Sequence, residues 1–129
     1  MAKTARAIFL GFVLAFLLSA CGQAGNGAVG ATENYVNALV NKDASRLSAL
    51  SCAAWEPNAQ MELDSFQAIA TRLDGLSCAV TGMDQDTTLV KCQGKILATY
   101  NNEDQKFDLS VRTYQVVNQG GEFLVCGYR

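Results

Sequence analysis

Apolar residues in this chain keep two different periods, and the change between them divides it. Val36, Leu39 and Val40 recur on one helical face with Tyr35 on its flank, and Leu47 and Leu50 recur on another. Thr32 is expected to cap the first of these helices, with Glu33 favourable to its dipole, and Asp43 to cap the second. Pro57 suits the first turn of a third helix, whose stripe Ala59, Leu63, Phe66, Ile69 or Ala70, and Leu73 is expected to end at Gly75. From Leu76 onward the period falls to two, and turn-like groups at 83–86, 101–104 and 118–121 divide the stretch into four strands. The predicted fold class is α+β: N-terminal helices packed on one face of a curved four-stranded antiparallel sheet.

The strand register can be worked out from the turns. A two-residue turn at Asn102-Glu103 sets Ala98 opposite Phe107, Ile96 opposite Leu109 and Cys92 opposite Thr113. Val90, Cys92, Ile96, Ala98 and Tyr100 then share a core face with Phe107, Leu109, Val111 and Val117, while Lys91, Lys95, Lys106, Asp108 and Arg112 take the other. A Gly120-Gly121 turn sets Gln115 opposite Cys126 and adds Cys126 and Tyr128 to the core face. The first hairpin, centred near Gln85, brings Cys78 opposite Cys92, close enough to bridge. The favoured connectivity is Cys78 to Cys92 and Cys52 to Cys126, the second stapling the helices to the last strand. Two other pairings of these four cysteines exist, and a turn shifted by one residue favours Cys52 to Cys78.

Ahead of both patterns lies a third, a continuous apolar run from Ala7 to Leu18 behind Lys3 and Arg6, closed by the small residues Ser19 and Ala20. Its 12 residues fall short of the roughly 20 needed to span a bilayer, so residues 1–20 read as a signal peptide. The stretch that closes it, Leu18-Ser19-Ala20-Cys21, resembles the lipobox of bacterial lipoproteins. The resemblance implies that Cys21 carries acyl chains and that the protein is lipid-anchored to a cell membrane on its extracytoplasmic side, whether inner or outer. Several acyl chains give a stable attachment where one gives only a reversible one. Residues 21–30 are expected to be a lipidated N-terminus and flexible linker, since Gly, Gln, Ala, Asn and Val show no apolar period there, and residues 31–129 a single domain.

Composition narrows the chemistry. Without Lys3 and Arg6, eight basic residues stand against twelve acidic ones, a balance that argues against a nucleic-acid partner. Four cysteines besides Cys21 in an exported domain of this size read as two disulfides. Their separations of 26, 14 and 34 residues, with no histidine in the chain, disfavour a metal site, and no cofactor is expected. The missing histidine and the lack of an inward carboxylate in the strands weigh against an enzyme. Asp64 and Asp74 read as solvated helix surface. Thr113 and Gln115, polar positions on an apolar strand face, join Trp55, Tyr100 and Tyr128 as candidate lining of a pocket for a small apolar ligand. On the other face Leu89, Tyr114, Val116, Phe123 and Val125 are a candidate interface for a protein partner or a homodimer, beside a basic stripe of Lys91, Lys95, Arg112 and Arg129.

The run Tyr35-Val36-Asn37-Ala38-Leu39-Val40-Asn41-Lys42-Asp43, followed by Leu47 and Leu50, and the closing Gly121-Glu122-Phe123-Leu124-Val125-Cys126 resemble the nuclear transport factor 2-like superfamily of cystatin-like shape, and its small bacterial lipoproteins. The resemblance implies a cone of helices and sheet whose mouth can hold a small apolar molecule. In some members it implies chemistry of the ketosteroid isomerase or dehydratase type. The expectation for this chain is a membrane-anchored, non-catalytic module that binds a small ligand or a protein. A homodimeric scaffold through the outer sheet face is the alternative, and an enzyme of that type a third reading.

Overall fold

A computed structural model describes residues 21–129, with side chains from residue 25 onward; the expected signal peptide lies outside the described residues. Three helices come first: α1 (Cys21–Val40), α2 (Ala44–Ala49) and α3 (Glu56–Ser65). Five strands follow: β1 (Ala70–Asp84), β2 (Thr87–Tyr100), β3 (Glu103–Asp108), β4 (Thr113–Gln119) and β5 (Glu122–Tyr128). The architecture is α+β, helices against an open antiparallel sheet, with five strands where the period-two pattern predicts four.

The stretch expected to be a leash is instead the first half of α1. One of its glycines, Gly27, serves close packing. A Cβ on Gly27 would collide with the Phe123 ring on β5, and one on Gly25 would stand 3.7 Å from Val80 on β1. Ala28 and Ala31 are buried against the sheet, and Thr32, expected as an N-cap, lies inside the helix with its hydroxyl donating to the Ala28 carbonyl at 2.9 Å. Small residues that look featureless in sequence are thus the contact face of a helix seated near the sheet backbone. Asp43 does cap α2, accepting from the Arg46 amide at 3.0 Å.

The third helix stops at Ser65, earlier than its stripe suggests. Leu63, Phe66 and Ile69 are all buried, yet the chain leaves the helix through a turn and Ala70 enters the sheet. Pairing of Ala70 with Thr99 through Leu73 with Ile96 overrides the local helical pattern. Gly75, expected as a C-cap, sits inside β1 at φ +69°, where the ladder is interrupted between Asp74 and Ser77.

Strand β2 is the spine of the sheet, pairing along one edge with β1 and along the other with β4 and then β3. It bends at Gly94, whose φ is +104° and whose Cβ, if present, would lie 2.6 Å from the Gly75 carbonyl oxygen. The β2–β3 turn is Asn101-Asn102, both left-handed at φ 48° and 67°, the conformation of a tight hairpin turn. Ala98 therefore faces Gln105, and Ile96 faces Phe107, instead of the expected Phe107 and Leu109.

Between β3 and β4 a single 3-10 turn, Leu109–Val111, opens with Asp108 accepting from the Ser110 amide at 2.9 Å. Lys95 pairs with Asp108 and Lys91 with Thr113, so four steps along β2 are matched by five on the opposing chain. One extra residue turns every later side chain to the opposite face. Tyr114 and Val116 consequently point into the core, while Val111 stands exposed. Thr113, Gln115 and Val117 take the face that Tyr114 and Val116 were expected to occupy. The expected outer patch dissolves: Tyr114, Val116 and Val125 are core residues, Phe123 packs on α1, and Leu89 alone remains on the outer side.

A second irregularity lies in β5, where Gln115 pairs with Gly127 and Val116 with Val125, leaving Cys126 bulged out. The bulged Cys126 is bridged to Cys52, and Cys78 is bridged to Cys92 across β1 and β2, the favoured connectivity in both cases. Closing the 74-residue loop of the first bridge contributes about 4–5 kcal/mol through the unfolded state. Beside it Ser51 forms an isolated parallel bridge with Val125, with Cys52 N–H donating to the Val125 carbonyl at 2.9 Å. That link covers the free edge of β5.

Two glycines of α1 provide opposite expected outcomes. Gly30 has open space where a Cβ would stand, so Gly30→Ala should stabilise by about 0.5–1 kcal/mol through the helix backbone alone. Gly27→Ala should cost about 1–3 kcal/mol, because Phe123 must move. Urea midpoints of the two variants check this, and a flexible leash would leave both unchanged.

Candidate functional site

At the junction of α1, α3 and the β4–β5 pair the interior turns polar. Tyr114 and Tyr128, paired across the two strands, stack edge to face with centroids 5.7 Å apart. Trp55, just before α3, meets Tyr128 at 5.4 Å and donates its indole N–H to the Tyr35 hydroxyl on α1 at 3.0 Å. Tyr35 in turn meets Tyr114 at 6.2 Å, which closes a ring of four aromatics. Gly127, φ +146°, presents bare backbone to the Trp55 ring, 3.5 Å from where a Cβ would sit.

Against this ring lies an ion pair. Arg112, between the 3-10 turn and β4, reaches the Glu62 carboxylate of α3 with Nη1 to Oε1 at 2.7 Å, both side chains largely buried at 19% and 12% exposure. The same guanidinium lies over the Tyr128 ring, 4.2 Å from its centroid. The Nη1 to Oε1 approach is close but off the line of the N–H bonds. Glu62 Oε2, Arg112 Nη1 and the Tyr114 hydroxyl are left buried with no hydrogen bond among the described residues. A carboxylate oxygen, a cationic nitrogen and a phenol thus offer an acceptor, a donor and a group able to be either.

The electrostatics follow from burial. It pushes the Tyr114 phenol up to about 12, with Arg112 beside it offsetting part of the rise. The Tyr35 phenol is raised further by the same cause, the hydrogen bond from Trp55 taking a little back. Tyr128 is raised by burial and then by Glu62. Burial alone lowers Arg112, but Glu62 with Tyr114 and Tyr128 outweighs it and holds the guanidinium above its ordinary value.

Of the expected pocket residues, the structure brings Trp55 and Tyr128 together. Tyr100 stands exposed at the far end of β2, and Thr113 and Gln115 face away from Tyr114. Arg112, expected on a solvated basic stripe, is turned inward by the extra residue before it. Glu62 went unremarked in the sequence, although it lies three residues after Ala59 and four before Phe66, a charge on the flank of a buried stripe. An open groove of about 420 Å3 also crosses the outer side of β1 and β2, lined by Ser77, Thr81, Lys91, Gln93 and Ser110. Its polar groups are wet, and none is orphaned.

No family model, curated protein or solved structure matches this chain. The structure defines an α+β domain with three helices on an open, five-stranded antiparallel sheet and two disulfides. Among the described residues no helix is long and apolar enough to cross a membrane, and no group of three metal-ligating side chains forms.

Glu62→Leu strands the guanidinium and should destabilise by about 1–4 kcal/mol, between an exposed and a fully buried pair, measured by urea unfolding. Tyr114→Phe removes an unsatisfied hydroxyl and should lie within about 1 kcal/mol of the parent. The raised phenols also set a pH dependence. Unfolded phenols ionise at about 10, so between there and about 12 the folded state retains the proton of Tyr114 and the unfolded state loses it. Stability should be full below that window and fall as pH rises through it, less steeply in Tyr114→Phe.

Proposed function

We propose that this protein is a lipid-anchored extracytoplasmic binding module, of nuclear transport factor 2-like, cystatin-like shape, that takes a small molecule at the Glu62–Arg112–Tyr114 cluster without transforming it. The observation that carries the binding reading is a buried Glu62–Arg112 ion pair beside the Tyr114 hydroxyl, with Glu62 Oε2 and that hydroxyl left without a hydrogen bond, because an unsatisfied buried group costs about 1–3 kcal/mol. The ligand therefore bears a polar group that both donates and accepts, as an amide does, and an apolar body. Trp55 and Tyr128 offer the body aromatic surface. Met61 and Val111, the neighbours of Glu62 and Arg112, offer exposed apolar surface at 69% and 74%. The deep space between α3 and the sheet is filled by Leu63, Phe66, Ile96 and Leu109, so the polar cluster is a better seat than an apolar cone.

Anchoring rests on the Leu18-Ser19-Ala20-Cys21 motif and the apolar run before it. The order of helices and sheet supports the superfamily shape. The non-catalytic reading rests on the lack of histidine and on Glu62 being engaged by Arg112.

Two measurements test the two halves. Membrane-extracted protein should carry acyl mass that Cys21→Ala abolishes. Native mass spectrometry of the gently purified protein should show a bound small molecule that Glu62→Gln and Arg112→Lys weaken at least tenfold, and that Gln115→Leu leaves in place. Bare protein in every sample would defeat the ligand site, and an unmodified Cys21 would defeat the anchor.

A further inference from the structure

We infer that the β1–β2 hairpin tip at Met83 rests on the bilayer, so that the domain is docked in one orientation. The inference rests on the reading of Cys21 as the lipid-bearing residue. Its first support is the absence of slack. Cys21 is already in α1, and by Gly25 the helix is against Val80 on the sheet. The four intervening steps cover about 6 Å as helix, and at most about 14 Å if fully extended.

The second support is direction. The start of α1 touches Val80 and Phe123, each within a few residues of the Gln85-Asp86 and Gly120-Gly121 turns. Its other end, Val40, accepts from the Thr71 hydroxyl, near the Asn101-Asn102 turn. The helix thus runs from one end of the sheet to the other, and the anchor lies at the end that carries the first two turns. Met83 lies three residues past Val80 toward the tip, about 10 Å along the strand. The acyl-bearing residue and the hairpin tip therefore lie toward the same end of the sheet.

The third support is chemistry. Met83 is 63% exposed and Val80 39%, apolar side chains that the core does not use, and Met83 is held by the Thr88 hydroxyl at 3.3 Å from its sulfur. Asp84, Asp86 and Glu122 around the same turns disfavour deep burial among anionic headgroups, so the contact is one apolar side chain deep. Tyr114 lies level with Val80, each paired with Val90 on β2, so the Glu62–Arg112–Tyr114 cluster stands about 10 Å along the strands from Met83.

Full-length lipidated protein in phosphatidylethanolamine–phosphatidylglycerol vesicles, with and without brominated acyl chains, tests this. Trp55 supplies the baseline emission. Met83→Trp should add emission that the brominated chains quench at least twofold, while the emission added by Glu103→Trp at the opposite end stays unquenched. Acyl mass on Cys21 with neither added tryptophan quenched, or with both quenched alike, would overturn the docking and leave the anchor standing. No acyl mass would overturn both.

Discussion

One extra residue between β3 and β4 decides what this domain is. Had the strand continued in the register of β3, Thr113 would oppose Val90 and point inward; the 3-10 turn at Leu109–Val111 places Tyr114 there instead. That exchange puts two large aromatics, Tyr114 and its cross-strand neighbour Tyr128, under the helices, and swings Arg112 from the solvated face onto Glu62. Asp108 starts the turn by accepting from Ser110. Core, ion pair and aromatic ring all depend on that local change of phase.

The parts legible in the sequence are those where a local pattern and a tertiary contact agree. Asp43 caps α2 as its position indicates, and the second helix buries Leu47. The Cys78–Cys92 bridge follows from a hairpin whose turn chemistry sets the register, and Cys52–Cys126 follows from the number of strands between. The illegible parts are those where tertiary packing overrules the pattern. Gly27 carries poor helix propensity, and only Phe123 on the strand beneath explains why glycine belongs at that position. Val111, Thr113 and Gln115 all lie on the face opposite to the one their alternation predicts, because a shift of one residue early in a strand propagates to every residue after it. Of the site, Trp55 and Tyr128 could be named from their positions, whereas Glu62 and Arg112 become partners only through the altered register.

The Glu62–Arg112 pair is not an economical way to hold α3 to the sheet. Removing two charges from water offsets much of their attraction, and apolar side chains of similar size would pack at least as well. Leu63 and Phe66 on the same helix already provide that adhesion. The pair concentrates opposite charges, a phenol and aromatic faces at one place, where poor solvation strengthens any further hydrogen bond made to them.

The two disulfides are nested, the 14-residue loop of Cys78–Cys92 lying wholly inside the 74-residue loop of Cys52–Cys126. A single cut by a protease anywhere between residues 53 and 125, the exposed Gln85-Asp86 and Asn101-Asn102 turns included, leaves two pieces joined through sulfur. Such a nicked molecule has lost one peptide bond and no strand, and its parts can return to the same sheet without having to find each other.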